Sequence, residues 1–448
     1  MNRMHIFPRF LYYKMFLSLF RGPYAKIQKI TTKEELELFT KNQLKQLFTH
    51  CYENVPYYKK IFSDLGIVSV YDIEKLTLDQ IPILTKKEIR DHFSGISSLD
   101  INTRNWFYTT SGGSTGEPVR LIQDSDYQKW NHATDTYYHE KILGIKRFIA
   151  KEVRLWGNER DIFQGGYGIQ KRLQNHFTNT VLLNSFCMTD NDIEQYISII
   201  NKVKPEYVRG YAGSLFELCA YSRIHDISLY SPKIVASAAE TLTQDMRDTI
   251  EESFKTKIYN FYGSRETLNL AVECAHGLLH IFSFNNIIEI VDENNQPVSE
   301  GEEGRILVTP LHNYSMPLLR YDIGDMGIKG PDFCSCGNFL PTLKSVTGRV
   351  TDHFKLKNGT QVPAEFFIHL LGVVCNNEKI KKFQVIQENY NKIRIKVVSQ
   401  NTVTGDYTHD IDKKIKVVMG QECEIIWNFV DEIPKTKSGK YRYTISKV

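Results

Sequence analysis

Between Thr32 and Phe48 the apolar positions Leu36, Leu38, Phe39, Leu44 and Leu47 recur at helical spacing behind a threonine and an acidic first turn, which predicts a capped helix. Tyr52 to Leu65 follows, carrying Val55-Pro56-Tyr57-Tyr58, and Thr85 to His92 reads as a further short helix entered from Ile81-Pro82. A polar, glycine-rich stretch from Thr109 to Pro118 interrupts the pattern. Beyond it, Val119 to Ile122 reads as a strand and Ser125 to Leu143 as a helix. Apolar runs at Glu152–Trp156, Tyr207–Tyr211, Lys233–Ala236 and Lys257–Phe261 then alternate with helical segments at Ile193–Val203, Ser214–His225 and Asp245–Phe254. Such alternation predicts an α/β domain with a largely parallel sheet. Ligands of these sheets sit outside the carboxyl ends of the strands, where Trp156, Tyr211, Ser237 and Tyr262 emerge.

From Gly277 the pattern turns to β, with Ile287 to Val291, a turn at Asn294-Asn295, and Arg305 to Thr309; no helix is predicted before Gly348. After Arg349 a turn at Lys357 to Gly359 opens a lysine-rich run of short strands and helices, predicted to form a compact α+β domain.

A chain of 448 residues exceeds what one core organises, so two or more domains are expected. With 42% hydrophobic and 24% charged residues the composition is that of a soluble globular protein. The net charge is +4 and the basic residues are dispersed, which argues against a nucleic-acid partner. Eight unevenly spaced cysteines make no disulfide framework and point to a reducing, cytoplasmic setting. The first thirty residues stand apart: Phe7, Phe10, Leu11, Tyr12, Phe16, Leu17 and Phe20 lie among Arg3, Arg9, Lys14 and Arg21. The run is too short and interrupted to span a membrane and lacks a cleavage site. Packing on its own domain and peripheral contact with a membrane surface are the two readings left.

Several stretches carry chemistry. In Ser111-Gly112-Gly113-Ser114-Thr115-Gly116 the glycines let backbone amides turn toward an anion and the hydroxyls donate to phosphate oxygens. Glu117-Pro118 follows where a Walker loop requires Gly-Lys-Ser/Thr, which argues against a Walker NTPase. Ser237-Ala238-Ala239-Glu240 ends a strand with small residues that admit a flat ring. Tyr262-Gly263-Ser264-Arg265-Glu266 sets an aromatic, a turn glycine and an acid within five positions. Asp325 follows Gly324 and is able to take both hydroxyls of a ribose. Lys435, Lys437 and Lys440 populate a loop near the C-terminus.

In this order, from about Leu47 to the C-terminus, these motifs resemble those of the adenylate-forming enzymes, the superfamily of acyl-CoA synthetases, nonribosomal adenylation domains and luciferase, and within it the phenylacetate-CoA ligase and CapK branch. The resemblance implies an N-terminal adenylation core over residues 1–347, with a β-rich subdomain at about 277–347. A small mobile lid follows over 348–448, hinged at 349–352. Thr351 occupies the hinge position where the family commonly has aspartate or lysine, with Asp352 one position along, and Tyr321-Asp322-Ile323 lacks the usual arginine after the tyrosine. By resemblance Ser111 to Gly116 hold ATP phosphates, with Ser114 and Thr115 donating; Ser237 to Glu240 and Gly263 border the nucleotide; Tyr262 stacks on adenine; and Glu266 ligates Mg²⁺. Asp325 takes the ribose, Arg349 reaches it from the hinge, and Lys440 bridges the carboxylate and the α-phosphate. Trp156, Tyr211 and Ala236 border the acyl pocket, a set suited to an aromatic or modest-sized acid.

Cys274, His280, Cys334 and Cys336 offer three thiolates and an imidazole, the donor set of a tetrahedral structural zinc, with His276 as the competing imidazole. The implied reaction joins a small carboxylic acid to ATP, giving acyl-AMP, and then passes the acyl group to an acceptor. CoA is the first expectation; a carrier-protein thiol or an amine are the alternatives, as is a non-catalytic nucleotide-binding relative. A place in capsule or O-antigen biosynthesis is also implied.

Overall fold

The computed structural model describes residues 6–110, 119–157, 177–185, 188–347, 354–358, 361–362, 364–371, 380–399, 405–433 and 444–448. The chain opens on helices α1 (Ile6–Leu19), α2 (Arg21–Gln28), α3 (Lys33–Asn54), α4 (Pro56–Asp64), α5 (Lys86–Asp91) and α6 (Phe93–Ile96). Thr32 caps α3 by accepting from the amide of Glu35, and α3 runs six residues past its predicted end because no breaker intervenes before Pro56. Pro56 starts α4, where its missing N–H costs nothing. Thr85 and Glu88 form a reciprocal capping box on α5.

Strands β1 (Trp106–Thr110) and β2 (Arg120–Asp124) pair antiparallel with Thr110 opposite Arg120. Helix α7 (Ser125–Tyr137) follows, capped by Asp124, and continues into a wider turn over Tyr138–Ile142. Among the described residues the principal sheet has eleven strands. Its parallel half contains β3 (Glu152–Leu155), β4 (Thr180–Leu183), β5 (Tyr207–Tyr211), β6 (Ile234–Ala238) and β7 (Ile258–Ser264). The antiparallel half contains β8 (Leu268–Glu273), β9 (Leu279–Ile281), β10 (Asn286–Val291), β11 (Glu303–Pro310), β12 (Tyr321–Lys329) and β13 (Thr342–Thr347). Strand order is β10-β11-β12-β13-β9-β8-β7-β6-β5-β3-β4. The β-rich strands are thus laid onto the parallel ones through the antiparallel β7–β8 pair, and they begin at Leu268.

Both faces of the parallel half are covered, and the strands show it: all five residues of β6 are buried. On one face Val153, Leu155, Val208 and Val235 meet α8 (Asp190–Val203), α9 (Ala212–Ile224) and α10 (Gln244–Phe254) through Ile197, Leu215, Leu218 and Phe254. On the other, Tyr207, Ala236, Ala238 and Phe261 meet α7, the wider turn after it, the α1–α2 junction and α2 through Ala133, Tyr138, Phe20 and Tyr24. Helices α3 and α4 pack Leu47, Phe48, Tyr58 and Phe62 over Leu270, Ile306, Val308 and Tyr321 of the antiparallel half. The C-terminal region forms a separate sheet of β16 (Ile380–Asn389), β17 (Lys392–Ser399), β18 (Glu424–Phe429) and β19 (Thr444–Ser446). A short pair, β14 (Phe354–Lys355) and β15 (Gln361–Val362), precedes it, and helices α11 (Ala364–His369) and α12 (Gly405–Met419) accompany it. Its core of Phe366, Phe383, Ile395 and Ile415 also takes in Tyr211, with Trp156 packed against it. The small domain therefore rests on the carboxyl ends of β3 and β5.

Candidate active site

Tyr262 on β7 donates its phenolic hydroxyl to Asp325 Oδ2 at 2.9 Å, across 63 residues of chain. The meeting depends on a bulge. Along β11 and β12 Arg305 faces Met326 but Leu307 faces Asp322, so Ile323, Gly324 and Asp325 leave the ladder together. Gly324 takes a positive φ of 87° and donates its amide to Asp322 Oδ1. A bulge of this kind re-aims a side chain that an unbroken strand would hold in register. Gly263, beside Tyr262, is required for another reason: a Cβ there would stand 2.6 Å from the carbonyl oxygen of Leu268.

The turn from β7 to β8 presents Glu266, only 4% exposed. Ser264 Oγ accepts from the amides of Glu266 and Thr267, both at 3.1 Å. Gln123 on β2 donates to the carbonyls of Arg265 and Glu266 at 2.9 and 3.1 Å, fastening this turn to the strand that follows the glycine-rich segment. Lys86, on the first turn of α5, brings its ammonium to 3.8 Å from Glu266 Oε1; its side chain is 10% exposed. Neither Lys86 nor Gln123 was expected. The signal was weak in both cases, since a lysine behind a capping threonine reads as a solvated helix start. Mg²⁺ takes one or two carboxylates and completes its shell with phosphate oxygens and water, so the single carboxylate of Glu266 fits that ion's needs.

Ser237 and Ala236, expected at a strand end, lie inside β6 with no exposed surface, and Ser237 Oγ is 3.3 Å from Asn260 Oδ1. The residues that leave the sheet are Ala239, exposed at φ 69°, and Glu240. Glu240 accepts from the Gly213 amide at 2.7 Å, placing negative charge at the N-terminus of α9. Burial, with the Glu240 carboxylate nearby, pushes the Glu217 carboxyl well above its usual range. Trp156 and Tyr211 pack with ring centroids 4.6 Å apart.

Beneath that aromatic pair, on the same face of β3 and β5, lies a charged floor that the sequence reading missed. Glu152 and Arg154 form a two-pronged pair at 2.8 and 2.9 Å, and Arg154 stands beside Arg209 in register. Arg209 sets its guanidinium 4.6 Å from the Phe261 ring and 5.6 Å from that of Trp156. Asp135 on α7 pairs with Arg147 at 2.5 Å. Burial pushes the Asp135 carboxyl up, but Arg147, His139 and Arg209 together bring it down to about 2. Burial pulls His139 down to about 4, against Asp135 and with the repulsion of Arg147. His139 Nδ1 faces the Asp135 carbonyl at 2.7 Å. Alternating charged residues on a buried strand, Glu152-x-Arg154, were the available signal.

Ser111, Gly112, Gly113, Ser114, Thr115, Gly116, Arg349 and Lys440 lie outside the described residues, as does the hinge 349–352.

The sulfur and nitrogen ligand atoms of Cys274, His280, Cys334 and Cys336 all lie within 4.8 Å of one another. Cys274 Sγ is 3.7 Å from Cys334 Sγ and Cys336 Sγ is 3.3 Å from His280 Nε2. The first distance is far too long for a disulfide, whose sulfurs stand about 2.05 Å apart. It is close to the edge of a tetrahedron with zinc–sulfur bonds of about 2.3 Å, which is roughly 3.8 Å. His280 Nδ1 lies 3.1 Å from the Leu340 carbonyl, a contact that orients the ring and leaves Nε2 toward the thiols. His276 is turned away, its Nδ1 at 2.9 Å from Ser335 Oγ, while its amide donates to Cys274 Sγ. The donor set fits a structural metal.

Residues 354–447 match the family described as the CapK C-terminal domain. Over 95% of its length the chain is 24% identical to Protein CapK of Staphylococcus aureus, covering 92% of that protein. It is 23% identical to a phenylacetate-coenzyme A ligase of Thermus thermophilus, with 92% of this chain and 96% of the relative covered. Among solved structures, 2-hydroxyisobutyryl-CoA ligase with 2-HIB-AMP and CoA in the thioesterification state superposes with a TM-score of 0.57 at 14% identity, over 93% of this chain and 91% of that one. That likeness concerns the fold: a large mixed sheet with a small C-terminal sheet domain. The chain is a low-identity, near-full-length relative of the CapK and phenylacetate-CoA ligase branch of the adenylate-forming ligases.

Proposed function

We propose that this chain is an AMP-forming acid ligase that condenses a carboxylic acid with ATP to acyl-AMP and pyrophosphate, then transfers the acyl group to the thiol of CoA. The observation that carries the reading is the Tyr262–Asp325 contact, which brings two motifs of different sheet halves together at the carboxyl end of β7, beside the buried Glu266. In the proposed mechanism Tyr262 faces the adenine ring and Asp325 the ribose hydroxyls. Glu266 ligates Mg²⁺, which supplies positive charge where pyrophosphate gathers negative charge. Backbone amides and hydroxyls of Ser111 to Gly116 hold the phosphates, Arg349 reaches the nucleotide from the hinge, and Lys440 stabilises the oxygens of the attacking carboxylate and α-phosphate. Trp156 and Tyr211 wall the acyl side. Turning of the C-terminal domain then withdraws Lys440 and admits the acceptor.

A carrier-protein thiol or an amine is the alternative acceptor, and the resemblance of the motifs to the CapK branch implies a place in capsule or O-antigen biosynthesis. The Cys274, His280, Cys334 and Cys336 cluster would hold one zinc ion as a structural pin, tying the β8–β9 connection and β9 to the β12–β13 connection, with no part in the chemistry. The test is acid-dependent exchange of labelled pyrophosphate into ATP across an acid panel. Exchange should require Mg²⁺ and collapse in Glu266→Gln; undiminished exchange in that variant removes the metal role assigned to Glu266, and no exchange with any acid removes the ligase reading.

A further inference from the structure

Helix α1 is apolar on both of its sides, and its own domain covers only one. Tyr13, Phe16, Leu17 and Phe20 face inward toward α7 and its neighbours. On the opposite arc Phe10, Leu11, Met15 and Leu19 are 37, 60, 56 and 64% exposed. Leu11, Met15 and Leu19 follow at successive intervals of four, so they form one stripe along the helix. A helix that is hydrophobic all round belongs in a core or in a lipid phase, not half in water.

The charge around the stripe decides between occupants. Seven of the chain's 56 Lys and Arg fall in the first 33 residues, together with none of its 52 Asp and Glu, which leaves the remainder net negative. Lys14 lies on the exposed arc with its ammonium 4.7 Å from the Phe10 ring centre, an aliphatic stem on apolar surface with the charged head at its rim. Where α1 gives way to α2, a cavity of about 550 Å³ opens, lined by the cations of Arg21, Lys26, Arg104 and Lys129 against the single carboxylate of Asp126. A second copy of the chain meeting this face would bring like charge to like charge. An anionic bilayer offers the opposite sign to the cations and an acyl layer to the stripe. No helix among the described residues is long and apolar enough to cross a membrane.

We propose that α1 and α2 form a peripheral membrane-docking surface, in which Leu11, Met15 and Leu19 enter the acyl boundary of an anionic bilayer while Lys14, Arg21 and Lys26 contact phosphate headgroups.

The experiment is co-sedimentation of the full chain with vesicles of phosphatidylcholine alone and of phosphatidylcholine with phosphatidylglycerol. The wild-type chain should bind the anionic vesicles far more tightly, and added salt should weaken binding. Leu11→Glu, Met15→Glu and Leu19→Glu combined should weaken it at least about a hundredfold, since each large apolar side chain withdrawn is worth about tenfold. Lys14→Gln and Arg21→Gln should each cost about fivefold. All three variants change exposed positions, and an unaltered melting temperature confirms that each is folded. Absence of vesicle binding, equal binding by the apolar-stripe variant, equal binding to heparin, or a lipid-free dimer that the stripe variant dissociates would each overturn the proposal.

Discussion

Lys86 and Glu266 are the pair whose separation should be felt most. The two side chains are 10% and 4% exposed and their charged atoms stand 3.8 Å apart, which at an effective dielectric near 20 corresponds to about 4 kcal/mol of attraction. Lys86→Met keeps most of the aliphatic stem and deletes the charge, leaving the Glu266 carboxylate buried without that cation. Breaking a buried pair from one side costs about 3–5 kcal/mol. Here the atoms are beyond hydrogen-bond distance, so a coupling of about 2–4 kcal/mol is expected. At roughly 2 °C per kcal/mol for a large domain, Lys86→Met should melt about 4–8 °C lower. The assay is a double-mutant cycle of Lys86→Met, Glu266→Gln and the double variant, followed by calorimetry. The double variant should melt well above the value that adding the two single losses predicts. If Glu266 faces the metal, ATP with Mg²⁺ should restore part of the loss in Lys86→Met, because a second cation then compensates the same carboxylate. Strictly additive losses would refute the pairing, and loss without rescue would separate it from the metal role.

Purified protein should carry about one zinc equivalent, and Cys334→Ser should lower both metal content and melting temperature; metal-free protein with an unchanged melting curve would remove the zinc assignment. His139 stays neutral in the folded chain down to about pH 4, whereas an unfolded histidine binds a proton below about 6.5, so its contribution is complete above 6.5 and is lost as pH falls toward 4. The loss is on the order of 3 kcal/mol, with His312, which burial pulls down to about 3, acting in the same sense; His139→Gln should therefore show a shallower fall of melting temperature between pH 7 and 4.5. Lys440→Ala should lose on the order of 10²–10³ in acyl-AMP formation yet convert supplied acyl-AMP at a near-normal rate, and equal losses in both half-reactions would argue against domain alternation.

Local signals carried the elements well. The Thr32 cap marked the start of α3, and the alternation of β-rich with amphipathic stretches placed α7 to α10 and strands β3, β5, β6 and β7 within a few residues, because those patterns report neighbours in sequence, while β4 went unread. Tyr262, Glu266 and Asp325 stood out individually, but their meeting depends on a bulge in β12 that no residue spacing announces. The cysteine and histidine cluster was legible because each half of the set is local: Cys274 with His280, and Cys334 with Cys336. Lys86 and the Glu152, Arg154, Asp135 and Arg209 floor were not, since a charged residue earns a buried place only through partners brought by other elements. Ser237 was misplaced because a serine between alanines reads as a strand end, whereas β6 continues through it, shielded on both faces.

Tyr211 ends a strand of the large sheet and is counted in the core of the small domain, where it is 6% exposed. Any rotation that carries the small domain away must return to water the part of that side chain not held by Trp156, at a cost of up to about 2 kcal/mol. That one ring alone biases the equilibrium toward the docked arrangement by up to roughly thirtyfold. A ligand that opens the interface must favour the undocked form by more than this factor, and Tyr211→Ala should raise the resting open population without touching the nucleotide side of the site.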